Sequence, residues 1–253
     1  MLESAECLAI SLQNGVAVLE MRRPPHNFFD QELIELIASA VEQLSETADC
    51  RAIVLASQGK VFCAGADFVK PGQIDARALY GAALPIFRRR KPLIAAVQGP
   101  AIGGGLGLAV AADFRIVAPE ARFQGNFVRI GLHPGFGLTH TLPRLLGTQA
   151  AYSMLMTGRR VDGHEAMRIG LADQLVELSE LRQAAINFAG TIASGAPLAI
   201  KTIQSALIAG LAEAVEQAMA REFAEQEKLF ATEDFREGVL ATKEKRPPAF
   251  KGC

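Results

Sequence analysis

The regular alternation of strand-like and helix-like segments is the feature that most constrains how this chain can fold. Short apolar runs at residues 52–56 (AIVLA) and 93–97 (LIAAV) read as strands that are buried on both faces, and 114–117 (FRIV) reads as a further strand. A helical pattern begins after Asp30, which can cap it, and a second helical segment extends to about Arg90. This order predicts an α/β fold with largely parallel strands.

The two ends of the chain differ from this central pattern. Apolar runs at 8–12 and 16–21 flank the Asn14-Gly15 dipeptide, which predicts a β-hairpin. Beyond residue 195, apolar residues recur at four-residue steps, from Leu211 to Phe223, and no strand-like run follows. We therefore predict a core over residues 1–194 and a helical region over 195–253, whose apolar faces need cover from the core or from another subunit.

Composition and charge exclude several functional classes. The 27 acidic and 26 basic residues nearly cancel, which gives no electrostatic basis for binding nucleic acid or an anionic membrane. The four cysteines form no CxxC pair and no cluster with metal-ligand spacing, so we expect no metal site and a reducing, cytoplasmic location. The N-terminal sequence lacks the pattern of a signal peptide, and no apolar run is long enough to predict a membrane span.

Two segments carry the chemistry. The first is residues 61–68 (VFCAGADF), and the second is residues 97–109 (VQGPAIGGGLGLA), in which a glycine triplet joins a strand to a helix. Glycines at a helix start allow a ligand to approach backbone N–H groups at the positive end of the helix dipole, where an anion is stabilised. A dinucleotide-binding GxGxxG pattern fails at Leu108, and a P-loop lysine is absent. Tight helix–strand packing without a ligand remains an alternative for the triplet alone.

The two segments together resemble the crotonase (enoyl-CoA hydratase/isomerase) superfamily. Further similarity comes from MRRP at 21–24, from RFQGNFVRIGLHPGFG at 122–137, and from a C-terminal stretch that contains EKR at 244–246 and FK at 250–251. The resemblance implies a spiral of ββα units with a C-terminal helical region. It also implies a homotrimer or homohexamer, a bent CoA thioester as ligand, and no cofactor beyond the coenzyme A of the substrate.

The resemblance also assigns roles to individual residues. The N–H groups of Ala66 and Gly104 would form an oxyanion hole. The residues predicted to bind the substrate are Ala64, Asp67, Phe68, Phe127 and Lys245, of which the first three belong to the loop that holds adenine and pantetheine, and Lys245 would lie near the CoA phosphates.

The sequence departs from the family at its proton-transfer positions. The two glutamates of hydratases fall on Gly107 and Phe127, and an aspartate of some isomerases and dehalogenases falls on Gly135. His133, in the same loop, is the candidate acid/base, because an imidazole titrates near neutral pH. A loop histidine that only bonds local backbone is the alternative. His140 is a further candidate, and His26 could line the acyl-CoA entrance or simply fill a turn.

Other reactive side chains have structural explanations. Cys63 is expected to be a small packed residue, and Asp113 a structural carboxylate at the start of a strand. The basic run 88–91 (RRRK) suits the end of a helix without any ligand.

Three functions remain open at this level. The first is an acyl-CoA enzyme that stabilises a thioester enolate during hydration, isomerisation or a related lyase step. The second is a relative that binds acyl-CoA without catalysis. The third is hydrolysis of a C–C bond or decarboxylation in a β-keto substrate, which would use the same oxyanion hole.

Overall fold

The larger of two β-sheets forms the centre of the fold, seen in a computed structural model that describes residues 4–67 and 75–253. Its six strands lie in the order β1-β2-β3-β4-β6-β9. Their bounds are Leu8–Gln13 (β1), Val16–Met21 (β2), Ala52–Ser57 (β3), Leu93–Val97 (β4), Phe114–Val117 (β6) and Gln174–Leu175 (β9). β1 and β2 pair antiparallel, and every other neighbouring pair is parallel. The predicted α/β class with largely parallel strands is confirmed.

The turn between β1 and β2 shows why its sequence specifies a hairpin. Asn14 and Gly15 have φ angles of 51° and 80°. Two consecutive positive φ angles are typical of the two-residue turn whose twist matches that of paired strands, and Asn-Gly tolerates them best. The predicted hairpin is confirmed.

Helices cover both faces of the large sheet, which explains the apolar strands. Along β3, Ile53 and Leu55 belong to one buried cluster, whereas Val54 and its neighbours Ala52 and Ala56 belong to a second. Successive strand residues point to opposite faces, so a strand that is covered on both sides is apolar throughout. The helices are Gln31–Glu46 (α1), Ala76–Phe87 (α2), Gly104–Ala111 (α3), Leu138–Leu146 (α4), Thr148–Thr157 (α5), Gly163–Ile169 (α6), Leu181–Ala193 (α7), Pro197–Leu207 (α8), Leu211–Phe230 (α9) and Glu233–Glu244 (α10).

A smaller sheet extends the fold towards the glycine triplet. Its strands are Pro100–Ile102 (β5), Arg122–Gln124 (β7) and Arg160–Asp162 (β8), in that order. A 3-10 helix, Asn126–Ile130, follows β7 directly. β5 leads into α3, and the 3-10 helix lies beside that junction, so the smaller sheet sets the positions of both segments.

The C-terminal residues are helical, as their periodicity predicts. Leu211, Val215 and Met219 of α9 are buried, and α9 packs on α2 and α4. By length and composition alone, a window within Pro197–Phe230 is apolar enough to cross a membrane. Gly210, with a φ of 74°, separates α8 from α9 in this stretch. The division of the chain at residue 195 stays a prediction.

Candidate active site

The two glycine-containing segments lie against each other. Cys63 forms a parallel β-bridge with Ala101 of β5. Its N–H donates to the Pro100 carbonyl at 3.0 Å, and its own carbonyl accepts from Ile102 N–H at 3.0 Å. On the other side, Ala64 N–H donates to the His26 carbonyl at 3.0 Å. These backbone bonds hold residues 63–66 alongside the strand that leads into α3.

Glycine is required where the segments meet, because no side chain fits there. A Cβ on Gly105 would stand 2.0 Å from the Cys63 carbonyl oxygen, and one on Gly104 would stand 2.4 Å from Cζ of Phe29. Gly65 has a φ of 79°, and its Cβ would lie 2.8 Å from the Ile102 carbonyl oxygen. The same Cβ would be 3.1 Å from the Gly104 nitrogen, so the two loops approach at backbone contact distance.

A cavity open to solvent lies beside this junction, and the empty space that its lining residues border, part of it open solvent, is ≈ 590 Å³. Its lining is mostly apolar, and it comprises Phe29, Ala64, Ala66, Ala76, Leu79, Tyr80, Gly103, Gly104, Asn126, Phe127, Ile130, Gly135, Phe136, Gln226 and Phe230. Such a pocket, with a few polar groups, is typical of small-molecule sites.

Ala66 and Gly104, the two predicted oxyanion donors, both line this cavity. Gly104 is the first residue of α3, and the preceding Gly103 has no side chain to cap the helix. Among the residues that the structure describes, neither the Ala66 N–H nor the Gly104 N–H donates a hydrogen bond. Unpaired N–H groups at a helix start attract an anion, so this corner of the cavity is suited to a negatively charged oxygen.

The space in front of Gly107 is occupied by an aromatic ring. A Cβ on Gly107 would stand 2.7 Å from Cβ of Phe136 and 2.8 Å from its Cδ1. Phe136 has a φ of 62°, a conformation that bulky residues rarely adopt, and its ring packs on Phe29 at a centroid distance of 5.5 Å. A longer side chain at position 107 would therefore require Phe136 to move.

Tyr80 and Gln226 close the cavity beside Gly135. The Tyr80 hydroxyl donates to Oε1 of Gln226 at 2.8 Å, and Nε2 of Gln226 donates to the His133 carbonyl at 2.9 Å. A Cβ on Gly135 would stand 1.8 Å from the Tyr80 hydroxyl oxygen, so this hydroxyl fills the space of a side chain there. Burial, followed by the charge of Glu222, raises the pKa of Tyr80 and keeps its phenol neutral.

The remaining predicted site residues fall into two groups, those that line the cavity and those that do not. Ala64 and Phe127 line the cavity, whereas His133, Asp67 and Lys245 are not among its described lining residues. Nδ1 of His133 lies 2.7 Å from the Pro134 carbonyl oxygen, which is the local backbone bond that the sequence left as the alternative.

Two further placements complete the predicted set. Lys245 is exposed at the end of α10. The position predicted for Phe68 lies outside the described residues.

Cys63 and Asp113 have structural roles, as the sequence suggests, and so does Arg89 of the basic run. Burial raises the pKa of Cys63 to about 12, so its thiol is not ionised at neutral pH. Arg89 forms a buried ion pair with Asp113. Asp113 also accepts from Leu93 N–H at 2.8 Å and from Nε2 of Gln204 at 3.1 Å. These contacts connect the end of α2 with the starts of β4 and β6 and with α8.

Several lining residues were not singled out from the sequence. Phe29, Tyr80 and Phe136 lie outside the glycine motifs, and Gln226 comes from α9, distant in sequence. For Phe136 there is a usable signal, since glycines on both sides allow its unusual backbone and close packing. For Tyr80 and Gln226 the sequence offers no such signal. Both occur in amphipathic helices, in which the sequence pattern does not distinguish a buried polar residue from an exposed one.

The fold and this cavity define a class of protein, and comparisons with known proteins identify it. The enoyl-CoA hydratase/isomerase family profile matches residues 11–253. The short-chain-enoyl-CoA hydratase of Clostridium acetobutylicum is 35% identical over 92% of this chain and 93% of its own length. The (E)-benzylidenesuccinyl-CoA hydratase of Thauera aromatica is 34% identical over 97% of this chain and 99% of its own.

Comparison with solved structures points to the same family. A crystal structure of enoyl-CoA hydratase/isomerase from Pseudoalteromonas atlantica superposes with a TM-score of 0.87 at 30% identity, and it covers 97% of this chain and 100% of the other. Pseudomonas aeruginosa DspI has a TM-score of 0.77 at 35% identity, with 98% of each chain covered. The chain belongs to the enoyl-CoA hydratase/isomerase, or crotonase, family, and the predicted family and fold are confirmed.

Proposed function

We propose that this enzyme binds a CoA thioester in the cavity and stabilises an enolate of its acyl group with the N–H groups of Ala66 and Gly104. One observation carries the proposal: Ala66 and Gly104, from different segments, line one cavity, and neither N–H group donates to another described residue. Negative charge develops on the thioester oxygen when an enolate forms. One well-placed donor is worth roughly 2.7–4 kcal/mol of activation free energy.

We expect this enzyme to catalyse fewer reactions than the family name covers. We infer that Gly107 and Phe127 occupy the positions of the hydratase glutamates, so no carboxylate at those positions activates water. No aspartate, glutamate or histidine lies among the described lining residues. A positioned acid or base typically contributes 10²–10⁴-fold, so hydration of an ordinary enoyl-CoA should be slow here.

The first experiment measures turnover of crotonoyl-CoA and of a longer 2-enoyl-CoA by loss of the conjugated thioester absorbance. The short-chain-enoyl-CoA hydratase of Clostridium acetobutylicum, a relative whose name gives this activity, is the control. The proposal predicts binding of the CoA thioester and turnover at least a hundredfold below the control. Failure to bind any CoA thioester would contradict it.

His133 remains the sequence-based candidate for proton transfer. If it acts, His133→Ala should lower turnover at least tenfold while the affinity for CoA stays unchanged. Its ring nitrogen bonds the Pro134 carbonyl, and the opposite result, unchanged turnover, would leave His133 with that local role alone.

The cavity also favours a second candidate, cleavage of a β-keto substrate. Decarboxylation sends the electrons of the breaking C–C bond into the thioester enolate, so an oxyanion hole assists it and no base is needed to begin. The lack of described carboxylates in the lining supports this candidate. Release of CO₂ from a malonyl-type thioester, or of a carboxylic acid when water cleaves the C–C bond of a β-ketoacyl-CoA, would distinguish this candidate from hydration and from binding without catalysis.

We further propose a homotrimer or homohexamer in the cytoplasm, with Lys245 near the CoA phosphates. The exposed position of Lys245 at the end of α10 is compatible with contact to a ligand of this chain or of a neighbour.

A further inference from the structure

Three polar side chains line the described part of the cavity, and they differ in how they are bonded. Tyr80 and Gln226 bond each other, and Gln226 also bonds the loop that carries His133. The Asn126 side chain makes no hydrogen bond to any residue that the structure describes, and the residue is only partly buried. A free amide in a mostly apolar cavity is the polar group most available to a ligand.

The position of Asn126 is defined by its neighbours. It is the first residue of the 3-10 helix after β7. In β7, the Gln124 carbonyl accepts from Gly103 N–H at 2.8 Å. Oδ1 of Asn126 lies 3.3 Å from the position that a Cβ on Gly103 would take. The Asn126 amide group is therefore close to Gly103, the residue before Gly104. Asn126, Gly103 and Gly104 all line the cavity, so the amide belongs to the end of the cavity to which we assign the thioester oxygen.

From this geometry we infer that Asn126 is a third oxyanion donor, whose side-chain NH₂ donates to the thioester oxygen beside the Gly104 N–H. The inference rests on the proposed function, because it needs the thioester carbonyl at the junction of Ala66 and Gly104. The amide can turn either its oxygen or its NH₂ towards a ligand, and a developing oxyanion selects the NH₂. Asn126 then contributes most when the oxygen carries charge, and less to binding of the uncharged ligand.

The kinetic test compares three variants on the thioester that the wild-type enzyme converts. Asn126→Leu removes the donor in a similar volume, and Asn126→Asp replaces the NH₂ by an anionic oxygen. Loss of one oxyanion donor typically lowers kcat by 10²–10³. We expect a loss in that range for Asn126→Leu, with KM nearly unchanged, and a larger loss for Asn126→Asp. The control is Asn187→Leu on the exposed surface of α7, which should match wild type.

The outcomes separate a donor from the other roles that Asn126 could have. If Asn126→Asp turns over faster than wild type, the position acts as a base and the donor role is wrong. If Asn126→Leu keeps kcat within threefold of wild type, Asn126 only lines the cavity, and the inference is overturned.

A spectroscopic test needs no turnover. The carbonyl stretch of [1-¹³C]butyryl-CoA, a saturated thioester, is recorded by infrared difference spectroscopy free and bound to each protein. Donors to the thioester oxygen polarise the carbonyl and lower its frequency, so the stretch should fall on binding to wild type and fall less with Asn126→Leu. An equal shift in wild type and Asn126→Leu would overturn the inference alone. No shift in wild type, with binding established, would overturn the proposed oxyanion hole and the inference with it.

Discussion

Gly107 and Phe136 form a complementary pair that decides what this cavity can hold. Phe136 adopts a φ of 62° between two glycines, and the ring takes the space that any side chain at position 107 would need. The glycine on its C-terminal side, Gly137, has a φ of 73°, and a Cβ there would stand 2.9 Å from Cγ1 of Val215. The absence of a side chain at 107 and the Phe136 ring that fills the space are thus one structural feature.

We predict that Gly107→Ala destabilises the protein, although alanine normally favours a helix. The added methyl group would contact Phe136 at 2.7 Å, and overpacking of this kind costs about 1–3 kcal/mol. Gly190→Ala is the matched control, since Gly190 lies inside α7 with no atom within 4 Å of its Cβ position. That variant should gain about 0.5–1 kcal/mol. Urea unfolding of both measures the difference, and effects of the same sign would contradict the packing argument.

At the scale of secondary-structure elements, one buried ion pair links four segments. The Arg89 guanidinium, just beyond α2, bonds Asp113, which precedes β6. Asp113 also accepts from Leu93 N–H in β4 and from Gln204 in α8. Burial opposes ionisation of Asp113, but the charge of Arg89 and these hydrogen bonds outweigh it and lower the pKa of Asp113.

Asp113→Asn should destabilise the protein by about 3–5 kcal/mol at neutral pH, because it leaves the buried Arg89 charge without a partner. The control is Glu46→Gln, which breaks the exposed pair with Arg90 and should cost at most about 1 kcal/mol. Chemical unfolding at pH 7 compares the two variants. A loss for Asp113→Asn no larger than that of the control would show that the pair is not important for stability.

The same pair predicts a pH dependence. Since the folded-state pKa of Asp113 is lowered, its contribution is fully present above the ordinary carboxyl pKa of about 3.9 and is lost as pH falls through the lower folded-state value. The difference in unfolding free energy between wild type and Asp113→Asn should therefore narrow only in acid below about pH 4. A difference that changes between pH 6 and 8 would point to another group.

At the scale of the whole molecule, α8 has an unusual surface. Gln204 is its only buried residue, while Leu198, Ile203 and Leu207 are 78%, 55% and 66% exposed. Apolar side chains that stay this exposed in a folded chain are typical of a surface that a partner covers. This agrees with the proposed homotrimer or homohexamer.

We predict that Ile203→Glu combined with Leu207→Glu lowers the molar mass of the assembly in solution, because charges would be buried without partners in a subunit contact. Ser205→Glu is the control, as Ser205 is an exposed polar residue of the same helix. Light scattering coupled to size-exclusion chromatography gives the masses. A wild-type protein that is monomeric, or a double variant of unchanged mass, would refute the role of α8.

The fold class, the hairpin at Asn14-Gly15 and the glycine-rich helix start at 103–105 could all be predicted from the sequence alone. These features depend on local rules: strand and helix periodicity, turn residues that tolerate positive φ, and glycines where backbones must touch. Each rule acts within a few residues, so it can be applied to the amino-acid sequence alone. The choice of Ala66 and Gly104 as oxyanion donors came instead from the resemblance to the family, and both residues line the cavity.

The surroundings of Ala66 and Gly104, by contrast, depend on contacts between segments that are far apart in the sequence. Tyr80 and Gln226 are separated by 146 positions, and their hydrogen bond exists only because α9 packs on α2. The placement of Phe136 against Gly107, and of Asn126 over Gly103, likewise depends on how separate segments pack. Packing between distant segments has no periodic signature in sequence, because a buried aromatic or amide satisfies the same helical pattern in many different surroundings.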